Sequence, residues 1–229
     1  AKACFVPAKA RDYSFTDLVT RLRDEHDCLE MGIVLGPPQD GFMTVEELVE
    51  KESAATQADI DAIKIDPEDP AVFQLSGGTT GIPKLIPRTH NDYICNTKLA
   101  CASTETGPDK VLLDILPIGH NLPLACPGMQ GFLMKGGTVV FAQSTRGETL
   151  FPLIETHGVT HIHCVPALLI RWIHDPGIGD HDLSSLEYLQ SGGQRLQPEV
   201  RRRTYELIPS VFVQENFGMA EGMLFFAEK

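Results

Sequence analysis

Cationic side chains are scarce. Nineteen lysines and arginines stand against 31 aspartates and glutamates, a formal charge of −12 over 229 residues. A chain this acidic is repelled by a phosphate backbone unless its cations gather on one face. The one basic cluster, Arg195 with Arg201, Arg202 and Arg203, reads as a solvated helix face, so no nucleic-acid partner is expected. Long apolar runs are lacking too. Charge or proline interrupts each one well short of the roughly 18 residues a spanning helix needs. The opening Ala1-Lys2-Ala3-Cys4-Phe5-Val6-Pro7 has no apolar core of a secretory leader. No C-x-x-C pair occurs among Cys4, Cys28, Cys95, Cys101, Cys126 and Cys164, whose scatter argues against a disulfide framework. Reduced thiols among apolar neighbours act as small hydrophobes. These absences lead to the expectation of a soluble, cytoplasmic protein without a membrane span.

What is present looks globular: 42% hydrophobic and 22% charged residues, at a length suited to one generous domain or two small ones. A short apolar strand, a Gly/Pro/Ser turn and an amphipathic helix recur. Strands are expected at 33–35, 72–75, 111–116, 138–141, 161–165, 188–190 and 211–214, apolar with little alternation, as strands covered on both faces should be. Thr44-Val45-Glu46-Glu47 reads as a capping box. Leu150, Leu153, Ile154 and His157 share a helical face, and Pro198-Glu199 opens a helix that Pro209 ends. The alternation predicts an α/β fold of layered β-α units with a mostly parallel sheet, and active loops at the carboxyl ends of its strands. The acidic, proline-spaced 66–70 segment reads as an internal joint. The strand-like stretch 223–227 closes the sequence without a helix to cover it, which leads to the expectation of a fragment.

The strongest local signal is Ser76-Gly77-Gly78-Thr79-Thr80-Gly81-Ile82-Pro83-Lys84, directly after an apolar strand. Glycines let the backbone bring its N–H groups close to an anion, hydroxyls add donors, and Lys84 adds a point charge for a polyphosphate. It is not a Walker A loop, because proline stands where the second glycine belongs and leucine follows the lysine. His161-Ile162-His163-Cys164 invites a metal-site reading, since alternate strand residues share a face. No third ligand has suitable spacing, and structural packing is the expectation there.

The stretch from Gln74 through the loop to Leu85-Ile86-Pro87-Arg88-Thr89-His90 resembles the phosphate loop of the acyl-adenylate-forming superfamily. More narrowly it resembles the aryl-acid branch, the 2,3-dihydroxybenzoate– and salicylate–AMP ligases of siderophore assembly. Two further segments agree in order and spacing: His120-Asn121-Leu122-Pro123-Leu124-Ala125-Cys126-Pro127-Gly128 and Phe217-Gly218-Met219-Ala220-Glu221-Gly222. The similarity runs from about Ala71 to Leu224.

The resemblance implies roles residue by residue. Thr79, Thr80 and Lys84, with Ser76, Gly77, Gly78 and Gly81, would cradle the β- and γ-phosphates of ATP, and Glu221 would be the acid beside Mg²⁺. Adenine would lie against Phe217 and Gly218, with Gly192, Gly193 and Gln194 along its edge. His120 and Asn121 would meet the aryl acid, the amide donating to a carboxylate and accepting from a phenol. Cys126 and Leu224 would wall the ring's 3-position, and cysteine with leucine there implies salicylate over 2,3-dihydroxybenzoate. The substrate carboxylate attacks the α-phosphate, so catalysis is positioning and charge stabilisation. The implied partner is an aryl carrier protein or peptide synthetase whose phosphopantetheine thiol takes the aryl group.

Three departures from the family pattern stand out: Ala220 for threonine, Glu215 for an amide and Gln194 for alanine. Nothing in the sequence matches the family's ribose-binding aspartate, hinge or small C-terminal domain with its lysine. Residues 1–229 are therefore expected to be a piece of the large domain, inactive alone. Two other readings are another carboxylate-adenylating ligase, such as an acyl-CoA ligase, and a non-catalytic nucleotide-binding module.

Overall fold

A computed structural model describes residues 1–51, 55–75 and 81–227. Its contacts divide the chain into two units, Ala1–Lys64 and Ile65–Lys229. In the first, β1 (Ala3–Pro7) is followed by the short antiparallel pair β2 (Lys9–Ala10) and β3 (Tyr13–Ser14). Then come α1 (Phe15–Glu25), β4 (Met31–Leu35), β5 (Met43–Thr44), α2 (Val45–Glu50) and α3 (Gln57–Asp61). Strands β1, β4 and β5 form a parallel sheet in that order, with Val6 level with Val34 and both buried. The capping box forms at α2: Thr44 Oγ1 accepts from the Glu47 amide at 3.1 Å, and Glu47 Oε2 accepts from the Thr44 amide at 2.8 Å. Two of the four orphan donors of that helix end are thus satisfied locally.

The second unit opens with the antiparallel hairpin β6 (Pro70–Leu75) and β7 (Leu85–Thr89), and α4 (His90–Ser103) follows. Next are β8 (Val111–Asp114), α5 (Asn121–Ala125), α6 (Gly128–Met134), β9 (Thr138–Phe141), α7 (Gly147–His157), β10 (His161–Cys164) and α8 (Pro166–Ile173). The unit ends with β11 (Tyr188–Ser191), α9 (Pro198–Leu207), β12 (Phe212–Gly218) and β13 (Leu224–Phe226). Six strands form one sheet in the order β13-β12-β11-β10-β8-β9, parallel throughout except for β13 on β12.

One face of this sheet is covered by α7, α8 and α9. Leu113, Ile162, Leu189 and Val213 project from four adjacent strands into a cluster with Leu150, Ile154, Leu169, Trp172 and Val200. Burying a side chain such as Leu113 or Ile162 contributes about 1.5–3 kcal/mol. Trp172 adds a polar tether, its indole N–H donating to the Thr145 carbonyl at 2.9 Å. On the other face His161 stacks on Tyr188 with centroids 4.9 Å apart and meets the edge of Phe132 at 5.1 Å. Its Nε2 donates to the Thr104 carbonyl at 2.8 Å. His163 is wholly buried, and desolvation pushes its pKa down to about 3, so the ring stays neutral. Among the described residues no group of three or more His, Cys, Asp or Glu side chains is placed to hold a metal ion.

Several elements depart from the sequence reading. Strand 72–75 is not covered on both faces: it begins at Pro70, pairs antiparallel with β7, and leaves Phe73 and Leu75 exposed. Its partner contains Pro87, which a two-stranded ribbon tolerates because no further strand needs the missing N–H. The expected strand 111–116 stops at Asp114, and strand 211–214 becomes Phe212–Gly218, extended through the polar Glu215 and Asn216 by pairing with β11 and β13. Strand β1 was not expected, its Lys2 and Pro7 flanks masking it. The arginine cluster is not one solvated face: Arg195 lies outside α9, and Arg201 turns inward. No helix among the described residues is long and apolar enough to cross a membrane.

Candidate active site

Strands β8, β10, β11 and β12 all run the same way, so the loops at their carboxyl ends open on one rim. At the end of β11 stand Gly192 and Gly193. A Cβ on Gly192 would fall 1.9 Å from Asn216 Oδ1, and Gly193 has φ +82, so neither position admits an ordinary side chain. On the next strand the Phe217 ring is 60% exposed. A groove of roughly 600 Å³ lies here, lined by Gly193, Gln194, Glu215, Asn216, Phe217 and Phe225 among others. The Asn216 Nδ2 is buried and meets no acceptor among the described residues. An open aromatic face, bare glycine backbone and an unanswered amide donor together suit a flat heterocycle with acceptor nitrogens.

Glu215 is the departure that geometry explains. Its Oε2 accepts from Arg201 Nη2 at 2.6 Å and its Oε1 from the Leu196 amide at 3.0 Å. The Leu196 amide first, and the Arg201 guanidinium second, hold the carboxyl below the usual glutamate range. The acid is spent on anchoring the segment after Gly193 to β12, and no sequence signal marked that use.

Past β12 the chain turns through Met219-Ala220-Glu221-Gly222 before β13, with the Gly222 amide donating to the Met219 carbonyl and the Met219 amide to the Met223 carbonyl, both at 3.0 Å. Glu221 is exposed on this turn. Beneath the turn lies Arg88 of β7, only 2% exposed. Its Nη1 donates to the Ala220 carbonyl at 2.9 Å, its Nε and Nη2 hold the two oxygens of Asp92, and its guanidinium carbon sits 5.3 Å from the centre of the Tyr93 ring. Gly222 has φ +105, and a Cβ there would fall 2.6 Å from Arg88 Nη2. The Tyr93 hydroxyl accepts from Gln74 Nε2 at 3.2 Å; burial pushes that phenol up to about 12 and keeps it protonated. The sequence reading gave Arg88 no role, and a lone arginine inside a matched motif carries no signal of burial.

On the side of the sheet that carries α4, His120 caps α5, its Nδ1 accepting from the Leu122 amide at 3.2 Å. The Asn121 side chain is buried, and its Oδ1 meets no donor among the described residues. Cys126 ends the same helix, fully buried, its Sγ accepting from Asn96 Nδ2 at 3.2 Å; burial pushes the thiol up to about 11. Leu224 packs on Gly218, its register partner, and lines a different hollow from Phe217, with Ser103, Tyr188 and Gln214. Cys126 is not among the residues of that hollow. Gly81 and Lys84 lie at the mouth of the hairpin, both exposed, whereas Ser76, Gly77, Gly78, Thr79 and Thr80 fall outside the described residues.

Glycines and an exposed aromatic ring at the strand ends of a mostly parallel sheet mark an α/β protein with an open rim, and the chain belongs to the AMP-binding enzyme family, whose model matches residues 1–228. It is 40% identical over 218 residues to a salicyl-AMP ligase / salicyl-S-ArCP synthetase of Mycobacterium tuberculosis, covering 95% of this chain and 37% of that one. It is 36% identical over 227 residues to a 2,3-dihydroxybenzoate-AMP ligase of Bacillus subtilis, covering 98% of this chain and 40% of that one. Its fold matches the apo structure of Mycobacterium smegmatis MbtA with a TM-score of 0.83 and 34% identity, over 100% of this chain and 40% of that one. The chain thus spans about two fifths of the length of these relatives.

Proposed function

We propose that this chain is the part of an aryl-acid–AMP ligase, in its large domain, that grips ATP and the acid. The whole enzyme joins salicylate or 2,3-dihydroxybenzoate to AMP with release of pyrophosphate, then delivers the aryl group to the phosphopantetheine thiol of a carrier protein in siderophore assembly. The observation that carries the reading is the groove between Gly193 and Phe217, lined also by Asn216, whose amide donor is unanswered among the described residues. The identity to ligases named for these two acids supports the substrate class.

In this reading the chain's residues bind and orient. The adenine ring lies on Phe217, the glycine backbone passes its edge, and Asn216 Nδ2 donates to a ring nitrogen. Thr79, Thr80 and Lys84 hold the phosphates, and Asn121 Oδ1 takes the aryl acid's phenolic proton. A single exposed carboxylate suits Mg²⁺, which keeps several waters and is bound through one or two carboxylates plus the nucleotide's phosphates. Glu221 would hold it, and the ion would neutralise charge on the phosphates as the acid's carboxylate attacks. The six unpaired cysteines fit a reducing compartment, and we assign the protein to the cytoplasm.

The test is ATP–pyrophosphate exchange in the full-length protein. Exchange that depends on salicylate or 2,3-dihydroxybenzoate is expected; exchange driven only by aliphatic acids or amino acids would replace this reading with that of another carboxylate-activating ligase. Nucleotide binding without exchange for any acid would make it a binding module.

A further inference from the structure

We propose that Arg88 is a positioning residue that ties the hairpin carrying the phosphate loop to the turn bearing Glu221, and so sets the enzyme's grip on magnesium–ATP. The inference rests on the ligase reading for its consequence and on geometry for its substance. A guanidinium at 2% exposure needs its charge and donors answered, and here the answers come from separate segments. Asp92 takes two of its nitrogens from the start of α4, and the Ala220 carbonyl, 132 positions further along the chain, takes Nη1. The guanidinium carbon lies over the Tyr93 ring, 5.3 Å from its centre, and the Tyr93 hydroxyl accepts from Gln74, two residues before Ser76. Gln74, Tyr93, Arg88 and Ala220 therefore form a buried polar chain from the mouth of the phosphate loop to the residue preceding Glu221.

The turn is shaped around this fork. Gly222 takes a left-handed φ, and its missing Cβ leaves room for Nη2, so the two residues after Ala220 are set by the arginine beneath them. Glu221 itself is exposed and makes no side-chain hydrogen bond or ion pair among the described residues; its aim follows from the backbone of the turn. A planar fork can hold Asp92 and a carbonyl at once, whereas an ammonium on a flexible stem cannot reproduce both directions. Half of Asp92 faces water, so an apolar replacement of similar size at 88 leaves no buried unpaired charge.

The test compares Arg88→Met, Arg88→Lys and Gly222→Ala in the full-length protein by two measurements. The first is amide hydrogen exchange without ligand. In Arg88→Met the Met219 and Gly222 amides should exchange about tenfold or more faster, while amides of β10 and β11 keep their rates. The second is the magnesium dependence of ATP–pyrophosphate exchange. The half-saturating magnesium concentration and the KM for ATP should rise at least severalfold, with a smaller change in kcat, and Arg88→Lys should fall between Met and the parent. Gly222→Ala attacks the same contact from the other side and should loosen the same amides, which keeps the test alive if Arg88→Met does not fold. An unchanged turn in folded variants overturns the proposal, and so does a loosened turn with unchanged magnesium and ATP dependence. A parent protein lacking any aryl-acid-dependent activity overturns the ligase reading instead, and the amide measurement still stands.

Discussion

Arg201 on α9 and Glu215 on β12 meet at 2.6 Å, and the second oxygen of the same carboxylate receives the Leu196 amide at 3.0 Å. Arg201 also donates from Nη1 to the Val213 carbonyl at 2.7 Å. One acid thus joins the helix, the strand and the segment leaving Gly193. A position that family resemblance marks as departing from an amide is in this chain a structural staple beside the groove at Phe217.

Removing the staple should cost stability. Glu215→Ala loses a charge-assisted bond and a backbone partner and is expected to destabilise by about 1–2 kcal/mol, with Glu215→Gln near half of that. The carboxyl is held below the usual glutamate range, so its contribution is complete above that range and is lost as pH falls through the folded value. Urea midpoints at neutral pH and near pH 3 check both points. Equal losses for Ala at the two pH values would remove the ionic part of the account.

Asp114 and His163 should oppose one another in acid. Desolvation pushes Asp114 up to about 6, tempered by the nearby Leu116 and Ile115 amides, so the folded state holds that proton longer and stability falls as pH rises from about 4 to 6. His163 is pushed down to about 3, so the folded state refuses a proton the unfolded chain accepts, and stability falls as pH drops below about 6.5. Asp114→Asn is expected to gain on the order of 1–3 kcal/mol at pH 7 and to steepen the loss below pH 6. Denaturant midpoints from pH 4 to 8 decide it, and an unaltered pH profile in the variant would sink the assignment.

Thr79 and Thr80 carry the proposed phosphate cradle. Replacing Thr79 and Thr80 together by alanine in the full-length protein should slow aryl-acid-dependent pyrophosphate exchange about 10²-fold or more, the scale of losing preorganised donors at developing charge. Unchanged kinetics would take these hydroxyls out of the cradle.

For the acid itself, salicylate is expected over 2,3-dihydroxybenzoate by roughly 5- to 150-fold in kcat/KM, the cost of burying an extra hydroxyl beside a weakly donating thiol. Cys126→Ser with Leu224→Val should move the ratio toward the catechol. Equal kcat/KM values in the parent protein would end this expectation. The Asn96 amide already donates to Sγ, so the serine variant gains a stronger acceptor for that bond as well.

Legibility tracked locality. The capping box of α2 and the opening of α9 at Pro198 depend on residues within a turn of one another, and both could be read directly. The open face of β6 could not, because Val72-Phe73-Gln74-Leu75 looks as apolar as any covered strand; only its pairing with a proline-bearing partner shows that it forms a two-stranded ribbon. The site divided along the same line. Gly192 and Phe217 were named from motif chemistry and stand at neighbouring strand ends, whereas the uses of Glu215 and Arg88 depend on Leu196, Arg201 and Ala220, partners brought in by folding.

Strands β8 to β13 are delivered by synthesis in sheet-building order. β9 pairs with β8, β10 with the other side of β8, β11 with β10, β12 with β11, and β13 with β12. Every strand after the first meets a partner already made, across a helical connection or a short turn, so the entropy of closing each loop stays modest. The sheet can be extended one unit at a time as the chain emerges, and the rim that gathers the glycines, Phe217 and Glu221 is completed last.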